Sequence, residues 1–277
     1  MPRTLKELHN EIAEALSGVV ESPRREAELL LIAYLQRDQL YFITHQETLI
    51  DDQEPRLLEW IERRARNEPL EYLTNRVSFY SRECYVDEGA LIPRPETELL
   101  LDEVLARIHP DESLTIVEVG AGSGIISILL ALHLPNARFI AVDISPKALS
   151  VARRNIEAFG LGKRIELREG DKLDCVSEQI DFLVSNPPYI AQDAPLEHNL
   201  SYEPQNALFG GTIGDEIIQA LIDEVYARRI PIFACEMGYD QRLKIEEYLK
   251  TFAVQSLEFY LDLSSFDRGF ILKAHHE

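Results

Sequence analysis

The segment Val184–Ile190 reads Val-Ser-Asn-Pro-Pro-Tyr-Ile and follows a short apolar run. It joins an amide side chain, two prolines and an aromatic ring. Consecutive prolines fix the backbone and free a carbonyl from sheet pairing. The Asn186 side-chain oxygen and the Pro187 carbonyl can then converge on one NH2 group. Tyr189 offers a flat face to a planar substrate. An amide or aromatic amine is a poor nucleophile because its lone pair is delocalised. Two acceptors gripping its N–H bonds orient that lone pair toward a methyl donor and stabilise the positive charge that develops on nitrogen. Taken alone, the same string also reads as a Pro-Pro turn closing a strand; what lies upstream decides between the two.

Upstream, Ile116–Gly124 reads Ile-Val-Glu-Val-Gly-Ala-Gly-Ser-Gly, an apolar strand running into Gly120, Gly122 and Gly124 with Ala121 and Ser123 between them. Glycines allow a tight turn and close approach of a ligand to the backbone. The N-terminus of the helix that follows offers unpaired N–H groups to an anionic group. The spacing is G-x-G-x-G, which departs from the dinucleotide fingerprint because Ile125 stands at its third-glycine position. Asp143 follows about 20 residues later at the end of the next strand, where a carboxylate can accept both hydroxyls of a ribose. It also reads as a helix N-cap, with Ser145 competing for that role. Asp171 admits two readings, an acceptor for an adenine amino group or a turn residue.

Elements that could position these residues are visible in the pattern. Thr4–Leu16 carries Leu5, Leu8, Ile12 and Leu16 on one helical face. Ser22, Pro23 and Glu26 suggest a capped start for a second helix, and a third spans about Asp52–Arg66. Between Leu70 and Pro95, Tyr, Phe and Val recur in short segments, which predicts a β-hairpin or extended linker. Beyond it strands and helices alternate to the end, the signature of a parallel sheet covered on both faces. The predicted division is a helical domain over residues 1–69, a hairpin linker over 70–95, and an α/β domain over 96–277.

The formal charge of −20 sets an unfavourable field for a nucleic-acid partner, whose binding draws on phosphate neutralisation. Cys84, Cys175 and Cys235 lie far apart, and the histidines show no ligand spacing, so no metal is expected. No secretory leader or membrane-length apolar run is visible, which predicts a cytoplasmic protein without membrane association.

The glycine loop, Asp143 and the Asn-Pro-Pro-Tyr string together resemble the amino-group methyltransferases. Ser22–Leu31, Leu91–Leu100, "NPPYI" and Tyr202–Gly211 further resemble the HemK/PrmC family, over nearly the whole chain. That resemblance implies a seven-stranded, Rossmann-like class I sheet with its last strand antiparallel, and S-adenosylmethionine as cofactor. It implies methylation of the glutamine of the GGQ motif in peptide chain release factors. It places Glu118, Gly120–Gly124, Asp143 and Asp171 at the cofactor, with Lys172 where many members have an aromatic residue. Asn186, Pro187, Pro188 and Tyr189 fall on the substrate-amide clamp, Asn186 touching the cofactor as well. Arg94 and Glu96 read either as functional residues or as a structural ion pair with a helix start at Pro95; Glu203 admits similar alternatives, and Arg94 and Glu203 are the candidate substrate contacts. Arg63, Arg64 and Arg66 read as a solvated face or as a docking patch for a protein partner. The rivals are an adenine-N6 methyltransferase of nucleic acid, a ribosomal-protein glutamine methyltransferase, and a non-catalytic adenosine-ligand module.

Overall fold

The computed structural model describes residues 3–50, 55–196 and 198–276, so the expected helix start near Asp52 lies outside the described residues. The chain divides into two compact units. One comprises Met1–Arg76 with Glu197–Tyr202, the other Val77–Leu196 with Glu203–Glu277.

The first unit contains β1 (Arg3–Thr4), α1 (Leu5–Ala15), α2 (Pro23–Leu35), α3 (Gln39–Thr44), β2 (Leu49–Ile50), α4 (Pro55–Ala65) and α5 (Leu70–Thr74). Thr4 and Glu7 form a reciprocal capping box at the start of α1, and Leu5, Leu8 and Ile12 are buried on its inner face. At α2 the expectation needs correction. The Ser22 side chain makes no cap bond, and the Glu26 carboxylate turns away to meet Arg64 at 2.5 and 2.9 Å. Helix α3, capped by Asp38 on the Tyr41 N–H at 2.8 Å, had no expectation in the sequence. The stretch from Leu70 begins with α5 instead of a strand. Leu73 enters the helical core with Leu70 packed beside it, and Asn75 closes the helix in the left-handed conformation with φ 54°. The units therefore divide after Arg76, seven residues beyond the boundary that composition suggested.

The three arginines of α4 and its exit are not one free basic patch. Arg63 forks onto Glu68 at 2.6 and 2.9 Å and reaches Glu59 at 3.1 Å. Arg64 is buried in its pair with Glu26, and only Arg66 is exposed. Removing one partner of a buried pair typically costs about 3–5 kcal/mol, so reversing Arg64 strikes the fold of this unit rather than a docking contact.

The second unit opens with the hairpin β3 (Val77–Phe79) and β4 (Arg82–Cys84), turned by Tyr80 and Ser81 at positive φ. It continues with α6 (Thr97–Leu105), β5 (Thr115–Val119), α7 (Ile125–His133), β6 (Arg138–Asp143), α8 (Pro146–Ala158), β7 (Ile165–Glu169) and β8 (Phe182–Ser185). Then come β9 (Ile190–Ala191), β10 (Phe209–Gly211), α9 (Glu216–Ala227), β11 (Ile232–Glu236), α10 (Arg242–Leu249), β12 (Val254–Leu261) and β13 (Asp267–Ala274). Seven strands form one sheet in the order β12-β13-β11-β8-β5-β6-β7. Strand β13 is antiparallel to both neighbours, and the other neighbouring pairs are parallel. Its central strands are near-continuous apolar runs because helices cover both faces, as with Phe139–Val142 and Phe182–Val184.

From β5 the chain first adds strands on one side, β6 then β7, and later on the other, β8 then β11. That reversal is a topological switch point, and it opens a crevice beyond the carboxyl ends of β5 and β8. Val119 and Ser185 are paired across those two strands, so the glycine loop and the Asn-Pro-Pro-Tyr segment leave the sheet side by side. Among the described residues no helix is long and apolar enough to cross a membrane.

Candidate active site

Strand β5 passes into α7 through Gly120, Gly122 and Gly124, at φ 77°, 53° and 77°. These left-handed values exclude most side chains, and at Gly124 a Cβ would also stand 3.1 Å from the Ala152 Cβ of α8. The Gly120 and Ala121 N–H groups donate to the Val142 carbonyl at 2.9 and 3.0 Å. The Gly122 N–H donates to Asp143 Oδ2 at 2.8 Å. Asn155, which the sequence did not single out, donates to the Ser123 carbonyl at 2.9 Å and ties the loop to α8.

Two carboxylates are sunk into the crevice. Glu118 is buried at the end of β5, where one oxygen accepts from the Ser127 N–H at 3.0 Å and from the Ser127 hydroxyl. The other, Oε1, has no partner. Burial pushes the Glu118 carboxyl up to about 8 against the pull of the Ser127 hydrogen bonds. Asp143 ends β6 with Oδ1 on the Ser145 N–H at 2.8 Å and Oδ2 on Gly122. Its carboxyl is raised by burial, partly offset by those backbone N–H groups. Ser145 itself caps α8 through its hydroxyl, 3.3 Å from the Ala148 nitrogen. Asp171 and Lys172 line the same crevice, paired to each other at 2.5 Å, with Lys172 at φ 53°.

Beyond β8, Asn186 donates through Nδ2 to the Thr97 hydroxyl at 3.0 Å, which turns its Oδ1 away from that contact. The Tyr189 hydroxyl lies 3.4 Å from Glu236 Oε1, and the Tyr189 carbonyl accepts from Gln241 at 3.0 Å. Burial, with Glu236 nearby, raises the Tyr189 phenol well above its ordinary range, so it stays a neutral donor. The Phe-Gly-Gly strand β10 runs beside β9 and braces the loop, with Ile190 N–H on the Leu208 carbonyl at 3.0 Å. A Cβ at Gly210 would overlap the Pro188 carbonyl, so that position must be glycine.

Thr97, Glu236 and Gln241 were not anticipated. Glu236 alone carried a signal: it is an acid closing an apolar strand, as Glu118 and Asp143 nearly do. Of the two candidate substrate contacts, Arg94 lines the crevice, whereas Glu203 is buried and does not border it. The Glu203 carboxylate binds Arg94 and accepts the Ile92 N–H at 3.0 Å. Helix α6 starts at Thr97, two residues after Pro95, with the Thr97 N–H on the Arg94 carbonyl at 3.0 Å.

Most of these groups line one open cleft, which Tyr189, Glu203, Glu236 and Gln241 do not border. The glycine loop, Glu118, Asp143, Asp171 and Lys172 form one part of it, and Asn186, Pro187 and Pro188 another. A nucleoside-bearing donor and a planar NH2 group can share this space. All three cysteines are free thiols, and among the described residues no group of three ligating side chains gathers as a metal would need.

Comparison with known proteins agrees with the two-unit organisation. The family model of the PrmC N-terminal domain matches residues 7–74, and that of the methyltransferase small domain matches residues 94–209. A release factor glutamine methyltransferase of Moorella thermoacetica is 37% identical over 283 residues, covering 99% of this chain and 100% of that one. Its counterpart in Koribacter versatilis is 37% identical over 256 residues, with 89% and 91% covered. That of Chlorobaculum tepidum is 38% identical over 274 residues, with 90% of each covered. Among solved structures, the hMettl16 catalytic domain in complex with a MAT2A 3′UTR hairpin shares 16% identity at a TM-score of 0.58, over 91% of this chain and 92% of that one. That is a likeness of fold alone.

Proposed function

The chain belongs to the release factor glutamine methyltransferase family, and from that premise we propose that it methylates the side-chain amide nitrogen, N5, of the GGQ glutamine in a peptide chain release factor, with S-adenosylmethionine as donor. The observation that carries this reading is the Asn186 amide, fixed by Thr97 beside the glycine loop at the sheet's switch point. Its Oδ1 and the Pro187 carbonyl are two acceptors for the two N–H bonds of a glutamine amide. Tyr189, packed toward Glu236 and held by Gln241, braces the loop that carries these two acceptors. No general base is required in the site, because the proton is lost after nitrogen has gained the methyl group and become acidic.

The residues present fit the cofactor. S-adenosylmethionine, when bound, supplies an electrophilic methyl group. Among the residues lining the cleft, Asp143 would hold the ribose, the glycine loop would admit the cofactor close to its backbone, and Asp171 with the Lys172 stem would border the adenine. The unpartnered Glu118 Oε1 lacks a donor, which the methionine ammonium would supply. Arg94 borders the same cleft with Glu203 as its positioning partner.

Glu118 makes cofactor binding proton-linked. Its carboxyl, held up to about 8, is largely protonated at neutral pH before the ammonium arrives and ionised afterwards. Cofactor affinity is therefore expected to rise with pH between about 6 and 7.5, below the range in which an α-amine itself loses its proton. At pH 7 binding should release a proton, read by calorimetry in buffers of different ionisation enthalpy. In Glu118→Gln that release should vanish; its persistence would assign the proton elsewhere.

The whole reading is tested by incubating the enzyme and cofactor with purified release factor and mapping the product peptides. One added methyl on the GGQ glutamine is expected. Modification of nucleic acid with the release factor untouched would transfer the assignment to the adenine-N6 class, which the charge of −20 disfavours.

A further inference from the structure

Between β4 and α6 the chain runs through residues 85–96 without forming a helix or a strand. Gly89, Ala90, Leu91, Pro93 and Arg94 of this strap line the cleft. A segment with no ladder of its own keeps its place through its other backbone bonds. Its first tie is Asn155 on α8, which is 1% exposed. Asn155 Oδ1 accepts the Tyr85 N–H at 2.8 Å, and Nδ2 donates to the Tyr85 carbonyl at 2.9 Å. The same Nδ2 donates to the Ser123 carbonyl of the glycine loop, also at 2.9 Å. Both donor hydrogens and the acceptor of this amide are therefore used on backbone. Midway, Glu203 holds Ile92 and Arg94. Just past the far end, the Thr97 hydroxyl accepts Nδ2 of Asn186 at 3.0 Å.

We propose that Asn155 is a positioning residue that couples the glycine loop to this strap, so that a filled cofactor loop fixes the wall against which the substrate glutamine is aimed. This deepens the methylation reading above and rests on it. Ser123 lies between Gly122 and Gly124, both with left-handed backbones that only their lack of a side chain makes easy, so its carbonyl direction follows the state of the loop. A cofactor seated against the loop restricts that direction and keeps the carbonyl on Nδ2. The Asn155 amide is planar and rigid, so what orients it toward Ser123 also orients it toward Tyr85. From Tyr85 the strap passes along the cleft to Thr97 and the clamp.

Helix α8 carries both partners. Ala152 stands where a Cβ on Gly124 would come within 3.1 Å, and Ala148 and Val151 pack on Ala90 with Tyr85 beside them. The Arg154 guanidinium lies 3.5 Å from the centre of the Tyr85 ring. Asn155 is the side chain that bonds to loop and strap at once. Coupling between two ligands is reciprocal, so a release factor that presses its glutamine onto the strap must also tighten the hold on the cofactor.

The first test needs no turnover and uses S-adenosylhomocysteine, the demethylated donor. Tyr85 and Ile92 do not line the cleft, so their amides report the strap and not direct cover by the ligand. In wild type, saturation with S-adenosylhomocysteine is expected to slow hydrogen exchange at both amides by about fivefold or more. In Asn155→Ala the Ile92 amide should no longer respond. The second test measures the Kd of S-adenosylhomocysteine by calorimetry, with and without saturating release factor. Wild type is expected to tighten about fivefold or more, within the usual span of coupled sites. Asn155→Ala should show less than about twofold, and kcat/KM for release factor should fall about tenfold. Asn155→Asp keeps the size and the acceptor but removes both donors, and should lose the coupling as well. Tyr85→Phe removes the hydroxyl bond to Asp87 from the same strap and should keep it. A purely structural role would lower the melting temperature in the Asn155 variants and leave the coupling factor intact. Coupling that survives in either Asn155 variant, or a wild-type Tyr85 amide indifferent to S-adenosylhomocysteine, would overturn the proposal. The wild-type exchange decides alone where a variant does not fold. Wild type that leaves release factor unmethylated would sink the substrate reading, and the exchange data would still judge the tie.

Discussion

Replacing Asn186 with alanine is expected to lower kcat on release factor by about 10²–10³-fold, the usual consequence of losing one preorganised electrostatic partner. Cofactor affinity should change by no more than a few-fold. The asymmetry follows from where the side chain is anchored. Asn186 Nδ2 is held by Thr97 at 3.0 Å, so its Oδ1 is the group left for the cleft. The ground-state glutamine loses one hydrogen bond, but the developing ammonium-like nitrogen loses the acceptor that stabilises its charge, and the larger penalty falls on the transition state. The Pro187 carbonyl cannot compensate, because two prolines fix its direction. The fold should tolerate the change, since Asn186 is only half-buried and the loop is also braced by β10 and Gln241. Single-turnover transfer to intact release factor, with cofactor affinity measured by calorimetry on the same preparation, checks this. Transfer at the wild-type rate would remove the amide clamp and with it the proposed chemistry.

The two halves of this site were unequally legible in the sequence, and the reason is distance along the chain. The glycine loop, Asp143 and Asn186–Tyr189 each sit at the end of an apolar strand, so local pattern and the rule for open α/β sheets locate them together. The groups that aim them arrive from elsewhere. Thr97 is 89 residues from Asn186, Glu236 is 47 from Tyr189, and Gln241 is 52 from Tyr189. No periodicity links such pairs; only the closed sheet brings them together. The same cause misleads at Arg64, whose partner Glu26 is 38 residues away, so a buried ion pair reads as part of a solvated basic face. Arg63 was legible in principle, because Glu59 and Glu68 lie within reach along one stretch of chain. Helix α5 was hidden by its composition, because Tyr72 beside Val77 and Phe79 resembles strand material until the helical core claims Leu73.

Asp143→Ala should have the other large effect, on cofactor binding. Charge-assisted hydrogen bonds contribute on the order of 1.5–3 kcal/mol each, so losing two to a ribose diol predicts a rise in Kd of about 10²–10⁴-fold. The carboxylate has that capacity in hand. Each of its oxygens already accepts one backbone N–H, Gly122 on Oδ2 and Ser145 on Oδ1, both at 2.8 Å, and each retains a further lone pair at the cleft. Those backbone bonds also mean that Asp143 anchors the glycine loop, and the two roles must be separated. Asp143→Asn keeps the size and one acceptor oxygen. If the ribose role dominates, Kd should still rise in Asp143→Asn while the melting temperature of the cofactor-free protein stays near wild type. If anchoring dominates, the melting temperature should fall in Asp143→Ala with Kd almost unchanged. Helix capping does not confuse the comparison, because the Ser145 hydroxyl supplies the cap of α8 in either variant. The loss should also be specific to the nucleoside end of the cofactor. Adenosine alone should lose about as much affinity as the whole cofactor in Asp143→Ala, whereas methionine should lose little. Equal affinity of wild type and Asp143→Ala for adenosine would leave the carboxylate as a loop anchor and reassign the ribose to other groups at the cleft.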